Sequence, residues 1–186
     1  MKISRNSQIV VGLALVIFAI GSRLLPHWQN FTAVGASGLF AAHYFRKQIW
    51  AFFIPLFAMW VSDLILNNLV YGAFNEGFVW FSKYMIFVYA GLVGMITIGQ
   101  VMLKRIDGSR VLVASLIASL IFFLITNFGS FTFDPIYPKN AGGLFAAYVA
   151  GLPFFLNTLL SNVTYSLLLF GIYHWMSLRY PAVKAM

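Results

Sequence analysis

Nine residues draw attention because of where they fall. Asp63, Asn67, Asn127 and Asn157 sit inside or at the ends of long apolar runs, and His27, Asn30, Tyr137 and Lys139 lie in the short polar breaks between them. Amide, carboxylate and imidazole groups at such depth are costly, so each is a functional-site hypothesis by default. Asp63 and Asn67 are four residues apart and share one helix face, which Met59 continues by one turn. Asn157 and Ser161 share a second such face, with Thr158 and Asn162 beside it. Thr126 and Asn127 end a third run, and Arg23, His27 and Asn30 follow a fourth. Groups of these types, ringed by Trp28, Phe31, Trp60, Phe128, Phe131 and Tyr137, suit hydrogen bonding of a small organic molecule in a largely apolar pocket. Each also has a structural reading. Asp63 could pair with Arg23 or Lys139, Asn67 and Asn68 could cap a helix, Asn157 could bridge two helices, and His27 could be interfacial. The clustering of all of them toward one side favours a site.

Catalytic and metal chemistry find no support in the motifs. H-E-x-x-H, G-x-S-x-G and the phosphate-binding loop are absent. The three histidines, His27, His43 and His174, stand far apart, and there is no cysteine. No catalytic residue, metal site or cofactor is expected, and the protein is not expected to be an enzyme.

The elements that must carry these residues follow from composition. Of 186 residues, 61% are hydrophobic and 9% charged, and mean hydropathy is +0.87. A soluble domain carries about 25% charged residues, so the chain is an integral membrane protein rather than a soluble or disordered one. The net charge of +8 comes from basic clusters between apolar runs, which points to membrane topology rather than nucleic acid. A spanning helix needs about 20 apolar residues. Six spans are expected, over 9–25, 31–45, 49–66, 79–103, 111–128 and 153–175, forming one transmembrane domain over 1–186. Gly151 and Pro153 are expected to break the last stretch, leaving a short outer or re-entrant helix over 141–150. The runs are continuous, which argues for helices over a β-barrel.

Basic residues orient the bundle. With cytoplasmic termini, Lys2, Arg5, Arg46, Lys47, Lys104, Arg105, Arg110, Arg179 and Lys184 lie inside, and Arg23, Lys83 and Lys139 outside, as the positive-inside rule requires. The alternative, a cleaved signal peptide ending near Ala19-Ile-Gly21, fits less well because the run continues to Leu25. On this topology the polar side chains gather in the outer half, and the inner half holds almost none apart from His43. Ala33, Ser37 and Ala41, with Gly38 and Ala42, and Ala90, Gly91 and Gly94 offer small-residue faces for helix packing or for a membrane subunit.

Arg23-Leu-Leu-Pro-His27 with Asn30-Phe-Thr, Pro55-Leu-Phe-Ala-Met-Trp-Val-Ser-Asp63-Leu, Phe122-Phe-Leu-Ile-Thr-Asn-Phe-Gly129, Tyr137-Pro-Lys139 and Pro153-Phe-Phe-Leu-Asn-Thr-Leu-Leu160 resemble the blocks of a bacterial family of small transport proteins. That family is similar to the substrate-binding (S) subunits of energy-coupling factor (ECF) transporters, and is closest to the solitary, BtuM-like cobalamin transporters. The resemblance implies a six-helix S-component bundle in the bacterial cytoplasmic membrane, with a vitamin-sized ligand, cobalamin or a related corrinoid among the candidates, near the outer face. It also implies, for the coupled members, a transmembrane and ATPase energy-coupling module as partner. BtuM-like proteins ligate cobalt through a cysteine. This chain has none, and His27 or Met59 would have to serve. Small residues on the first helix, used for docking in coupled members, are here Gly12 and Ala19.

The expectation is therefore a transport protein that captures a small organic nutrient in an outward-facing pocket. His27, Asn30, Met59, Asp63, Asn67, Asn127 and Asn157 would contact it, and the loop carrying Tyr137 and Lys139 would gate it. Two rivals are a membrane-embedded enzyme acting on a lipid or isoprenoid through Asp63 or His27, and a non-transporting accessory subunit.

Overall fold

The computed structural model describes residues 5–46 and 48–179. Lys2, Lys47 and Lys184, three of the basic residues used for orientation, lie outside these. Six α-helices follow in order: α1 (Arg5–Leu24), α2 (Val34–Tyr44), α3 (Trp50–Ile65), α4 (Met85–Met102), α5 (Gly108–Phe133) and α6 (Ala141–Arg179). A π turn, Leu66–Val70, and a 3-10 turn, Gly72–Phe74, extend α3. No strand occurs among the described residues. Among the described residues, five segments are long and apolar enough to cross a membrane: Asn6–Leu24, Trp50–Val70, Met85–Met102, Gly108–Phe133 and Ala141–Arg179. Their outward faces carry residues such as Ile17, Ile86 and Leu167, at 70%, 68% and 50% exposure, as lipid contact requires. The chain is a multi-pass helical membrane protein.

α5 runs five residues past its expected end at 128, to Phe133, and three larger departures from the sequence expectation bear on the site. The run over 31–45 gives an 11-residue helix, α2. At 1.5 Å per residue it is about 16 Å long, half the hydrocarbon thickness of about 30 Å, so five helices rather than six have spanning length. It starts late because Asn30 takes a left-handed conformation, φ 62°, which turns the chain before Thr32. The expected break at Gly151 and Pro153 does not occur: α6 runs unbroken for 39 residues, with no separate helix over 141–150. Proline is tolerated in membrane helices where neighbouring helices satisfy the freed backbone groups. Finally, α4 begins at Met85, six residues beyond the expected start at 79. The Asn68 side chain accepts from the Val79 N–H at 2.7 Å and donates to the Val79 carbonyl at 3.0 Å, which holds the preceding segment as a connection.

α2 is the centre of the core. Every residue from Val34 to Tyr44 except His43 is buried, against α3, α4 and α6. Its composition of glycine, alanine and serine explains this, since small residues let helix axes approach closely. At Gly99 on α4 an added Cβ would lie 2.7 Å from the Ala42 Cβ. α5 packs between α4 and α6, and α1 leans mainly on α3.

Candidate functional site

A cavity of about 450 Å³ lies at the end of the bundle where α2 begins. It exists because α2 is short. In place of a further turn of helix, the segment 25–33 leads into α2, with His27, Asn30 and Thr32 at the cavity and Val34 and Gly35 of α2 forming part of the floor. Non-helical backbone at membrane depth is tolerated where it lines a cavity or is buried in protein, and the segment's polar groups are met by specific partners. The Ser22 hydroxyl accepts from the Ala33 N–H at 2.9 Å. The Asn157 amide donates to the Gln29 carbonyl at 2.9 Å, and the Ser161 hydroxyl reaches the Asn30 carbonyl at 3.5 Å. Asparagine is among the few residues that adopt Asn30's left-handed conformation readily.

One wall comes from α1 and α3. Arg23, in the last turn of α1, forms an ion pair with Asp63 on α3, and its Nη1 donates to the Met59 sulfur. The two charged side chains are only 16% and 14% exposed. Asn67 follows Asp63 by one turn and also lines the cavity.

The opposite wall comes from α5 and α6, each supplying two hydroxyls and an amide: Thr126, Ser130 and Asn127, and Thr158, Ser161 and Asn162. Each hydroxyl donor, and one of the two N–H donors of each amide, is already engaged. Thr126 donates to Phe122 O at 2.8 Å, Asn127 to Phe123 O at 2.8 Å, and Thr158 to Phe154 O at 2.9 Å. Ser161 donates to Thr158 O at 2.9 Å, Ser130 reaches Thr126 O at 3.4 Å, and Asn162 donates to the Ser119 hydroxyl at 2.8 Å. A hydroxyl has one donor and two acceptor lone pairs and an amide has two N–H donors, so the hydroxyls offer acceptors and each amide keeps one further N–H. Two glycines permit the arrangement, since the amide oxygen of Asn127 lies against Gly151 and that of Asn162 against Gly35. Gly151 thus accommodates a side chain of α5 and does not end a helix. The remaining floor is apolar and thioether: Met85, Val88, Leu92, Met95 and Phe122.

Of the nine residues singled out in the sequence, the structure brings six together on the cavity: His27, Asn30, Met59, Asp63, Asn67 and Asn127. Asn157 lies outside the lining and anchors segment 25–33. Tyr137 and Lys139 are also outside it. Lys139 donates to the carbonyls of Phe131 and Asp134 and sits 5.1 Å from the centre of the Phe131 ring, so it closes the end of α5. Of the six aromatics expected to ring the pocket, none lines the cavity. Trp28 and Phe31 line an adjoining groove with Pro26, Tyr165 and His27, and His27 faces both spaces. Sequence reasoning missed Thr32, Gly35, Tyr71, Ser82, Met85, Met95 and Ser130 as lining residues. Ser130 alone had a local signal, one turn beyond Thr126. The half of the bundle beyond the cavity is also more polar than expected, with Ser37, Ser115, Ser119 and Ser166 all buried at 0% exposure.

Among families, one described as of unknown function (DUF6580) matches residues 3–183. No curated protein and no solved structure matches the chain.

Proposed function

The chain belongs to the DUF6580 family, and we propose that it is a membrane transport protein that captures a small organic nutrient from outside the cell. The observation that carries this reading is the cavity itself. It is polar on two walls and apolar at its floor, with an exposed rim at His27, Asn30 and Tyr71. Its volume falls in the 300–1,000 Å³ range of small-molecule sites.

Charge distribution supports an outward orientation. Arg46, Lys104 and Arg105 follow the ends of α2 and α4, Arg110 lies in the first turn of α5 and Arg179 ends α6, all away from the cavity. Arg23, Lys83 and Lys139 lie at the cavity end. The more basic end faces the cytoplasm in multi-pass proteins, so the cavity faces out, as in an ECF S component.

Wall chemistry narrows the ligand. The α5–α6 wall presents hydroxyl acceptors and one free N–H on each amide, so it suits a molecule carrying both hydrogen-bond donors and acceptors. The sulfur and aromatic floor suits a ring. A volume near 450 Å³ supports a compact one- or two-ring vitamin-like molecule in preference to a corrinoid, whose macrocycle and side chains need far more room. Binding in the outward cavity is followed by release to the other side.

The test is thermal unfolding of the purified protein in detergent against a panel of water-soluble vitamins that includes cobalamin and cobinamide. A ligand that binds only the folded state raises the apparent Tm with its concentration. We expect a compact ring vitamin to do so, and the shift to shrink in Thr126→Val and Thr158→Val. A shift by cobalamin alone would restore the corrinoid, and no shift across the panel in folded protein would overturn the capture reading.

A further inference from the structure

Polarity does not stop at the cavity floor. Asn162, Ser119, Ser115, Ser37 and Ser166, all at 0–1% exposure, continue away from it where α2, α5 and α6 meet. Asn162 donates to the Ser119 hydroxyl at 2.8 Å, Ser119 to Ser115 O at 2.7 Å, and Ser115 to Val111 O at 2.8 Å. Ser166 is one turn beyond Asn162 on the same face of α6. α2 and α6 run in the same direction, and two contacts set their register. Gly35 lies against Asn162, and the Phe40 and Phe170 rings are 5.2 Å apart. Between these points Ser37 comes level with Ser166.

Those two serines differ from the rest. Ser62, Ser115 and Ser119 donate to a carbonyl one turn back, the usual resort of a hydroxyl in a helix. The Ser37 and Ser166 hydroxyls, equally buried, have no partner. Close packing alone would be served by alanine, without the penalty of a buried unpaired hydroxyl. Two unpaired hydroxyls at one level of a buried seam are placed for a water molecule or a polar group in transit. Beyond them the seam is closed by aromatic side chains. Phe40, Phe170 and Tyr173 cluster with His43, with Phe40 and Tyr173 5.6 Å apart and His43 and Tyr173 6.0 Å apart.

We infer that the seam among α2, α5 and α6 is the inward route from the cavity. α2 is the element that yields, and the Phe40–Phe170–Tyr173 cluster is the inner seal. This rests on the capture reading: a molecule held at the polar wall of α5 and α6 meets further hydroxyls on the same two helices as it moves inward. α2 suits the role because it is short and meets α4 across glycines, with Met95 and Ile96 of α4 seated on Gly35 and Gly38 and Leu39 of α2 on Gly99, so that no two large side chains need to pass each other at these points.

The chain has no cysteine, so single cysteines can be placed in the natural background. The probe is a membrane-impermeant trimethylammonium methanethiosulfonate applied to each side of proteoliposomes. It reacts with thiolate, which forms in water and is suppressed in apolar surroundings. Variants are Thr126→Cys in the cavity, Ser119→Cys, Ser166→Cys and Ser37→Cys in the seam, and Leu167→Cys toward lipid, each verified as folded. We expect Thr126→Cys to react from the outside. Ser119→Cys and Ser166→Cys should react from the inside at least about tenfold faster than Leu167→Cys, and Phe170→Ala should raise their rates further. Ser37→Cys supplies the answer if either seam variant fails to fold. Seam positions no faster than Leu167→Cys from either side, with Thr126→Cys reactive, would overturn the route and leave capture standing. An unreactive Thr126→Cys would overturn capture and the route with it.

Discussion

The two halves of the space along the α2 axis make an instructive pair. Helices α4, α5 and α6 border both. Beside α2 they meet a helix, and the fit is tight enough that its residues apart from His43 are buried. Beyond its first turn they meet segment 25–33, and the same helices enclose about 450 Å³. The difference lies in backbone hydrogen bonding. A helix satisfies its own N–H and C=O groups, so small side chains suffice and the surfaces close. A non-helical segment packed on the bundle takes outside partners, which Ser22, Asn157 and Ser161 supply. The side chains that serve it also leave a polar space.

The largest effect is expected where the cavity wall holds a charge pair. Asp63→Ala leaves the Arg23 guanidinium without its carboxylate in a wall where both are mostly buried, and such losses cost about 3–5 kcal/mol. The double variant Arg23→Gln/Asp63→Asn removes both charges and should cost clearly less. Unfolding in detergent measures both, and equal costs would mean that the pair is solvated and the two halves differ less than the structure indicates.

The next effect tests the closed half. Gly99→Leu drives a side chain into α2 where a Cβ alone would meet Ala42 at 2.7 Å. Overpacking of this kind costs about 1–3 kcal/mol. Gly21→Leu on α1, where nothing lies within 4 Å of an added Cβ, is the control and should leave the unfolding temperature unchanged. A similar loss at both positions would show that helix identity, not close approach, sets the cost.

The smallest effect separates two serines of the seam. Ser119→Ala strands the Asn162 N–H that donates to it and should lower stability by about 1 kcal/mol. Ser166→Ala removes a hydroxyl with no partner and should leave stability unchanged or slightly raised. A comparable loss for both would mean that Ser166 is bonded, and the seam would then be ordinary helix packing.

Much of the site was legible without the fold. Asp63, Asn67 and Met59 could be assigned to one face because helical spacing depends on sequence alone. His27, Asn30 and Asn127 were legible from their depth in or beside apolar runs. Asn157 and Lys139 have the same local character, yet the structure turns them to other tasks. One holds the 25–33 segment and the other holds the end of α5. Nothing within a few residues of either distinguishes a cavity-lining group from an anchor, because that depends on which backbone carbonyl the tertiary packing brings within reach.

The sequence by itself determined that this is a helical membrane protein and which of its polar groups share helix faces. Hydropathy and helical period are properties of consecutive residues, and membrane depth follows from them. Only the tertiary structure decided that the second apolar run stops at eleven residues, that α6 passes through Gly151 and Pro153 unbroken, and that a cavity stands where α2 begins. Those outcomes depend on contacts between residues far apart in the chain. The Asn127 oxygen against Gly151, the Asn157 amide on the Gln29 carbonyl and the Arg23–Asp63 pair each join elements that no window of neighbouring residues contains.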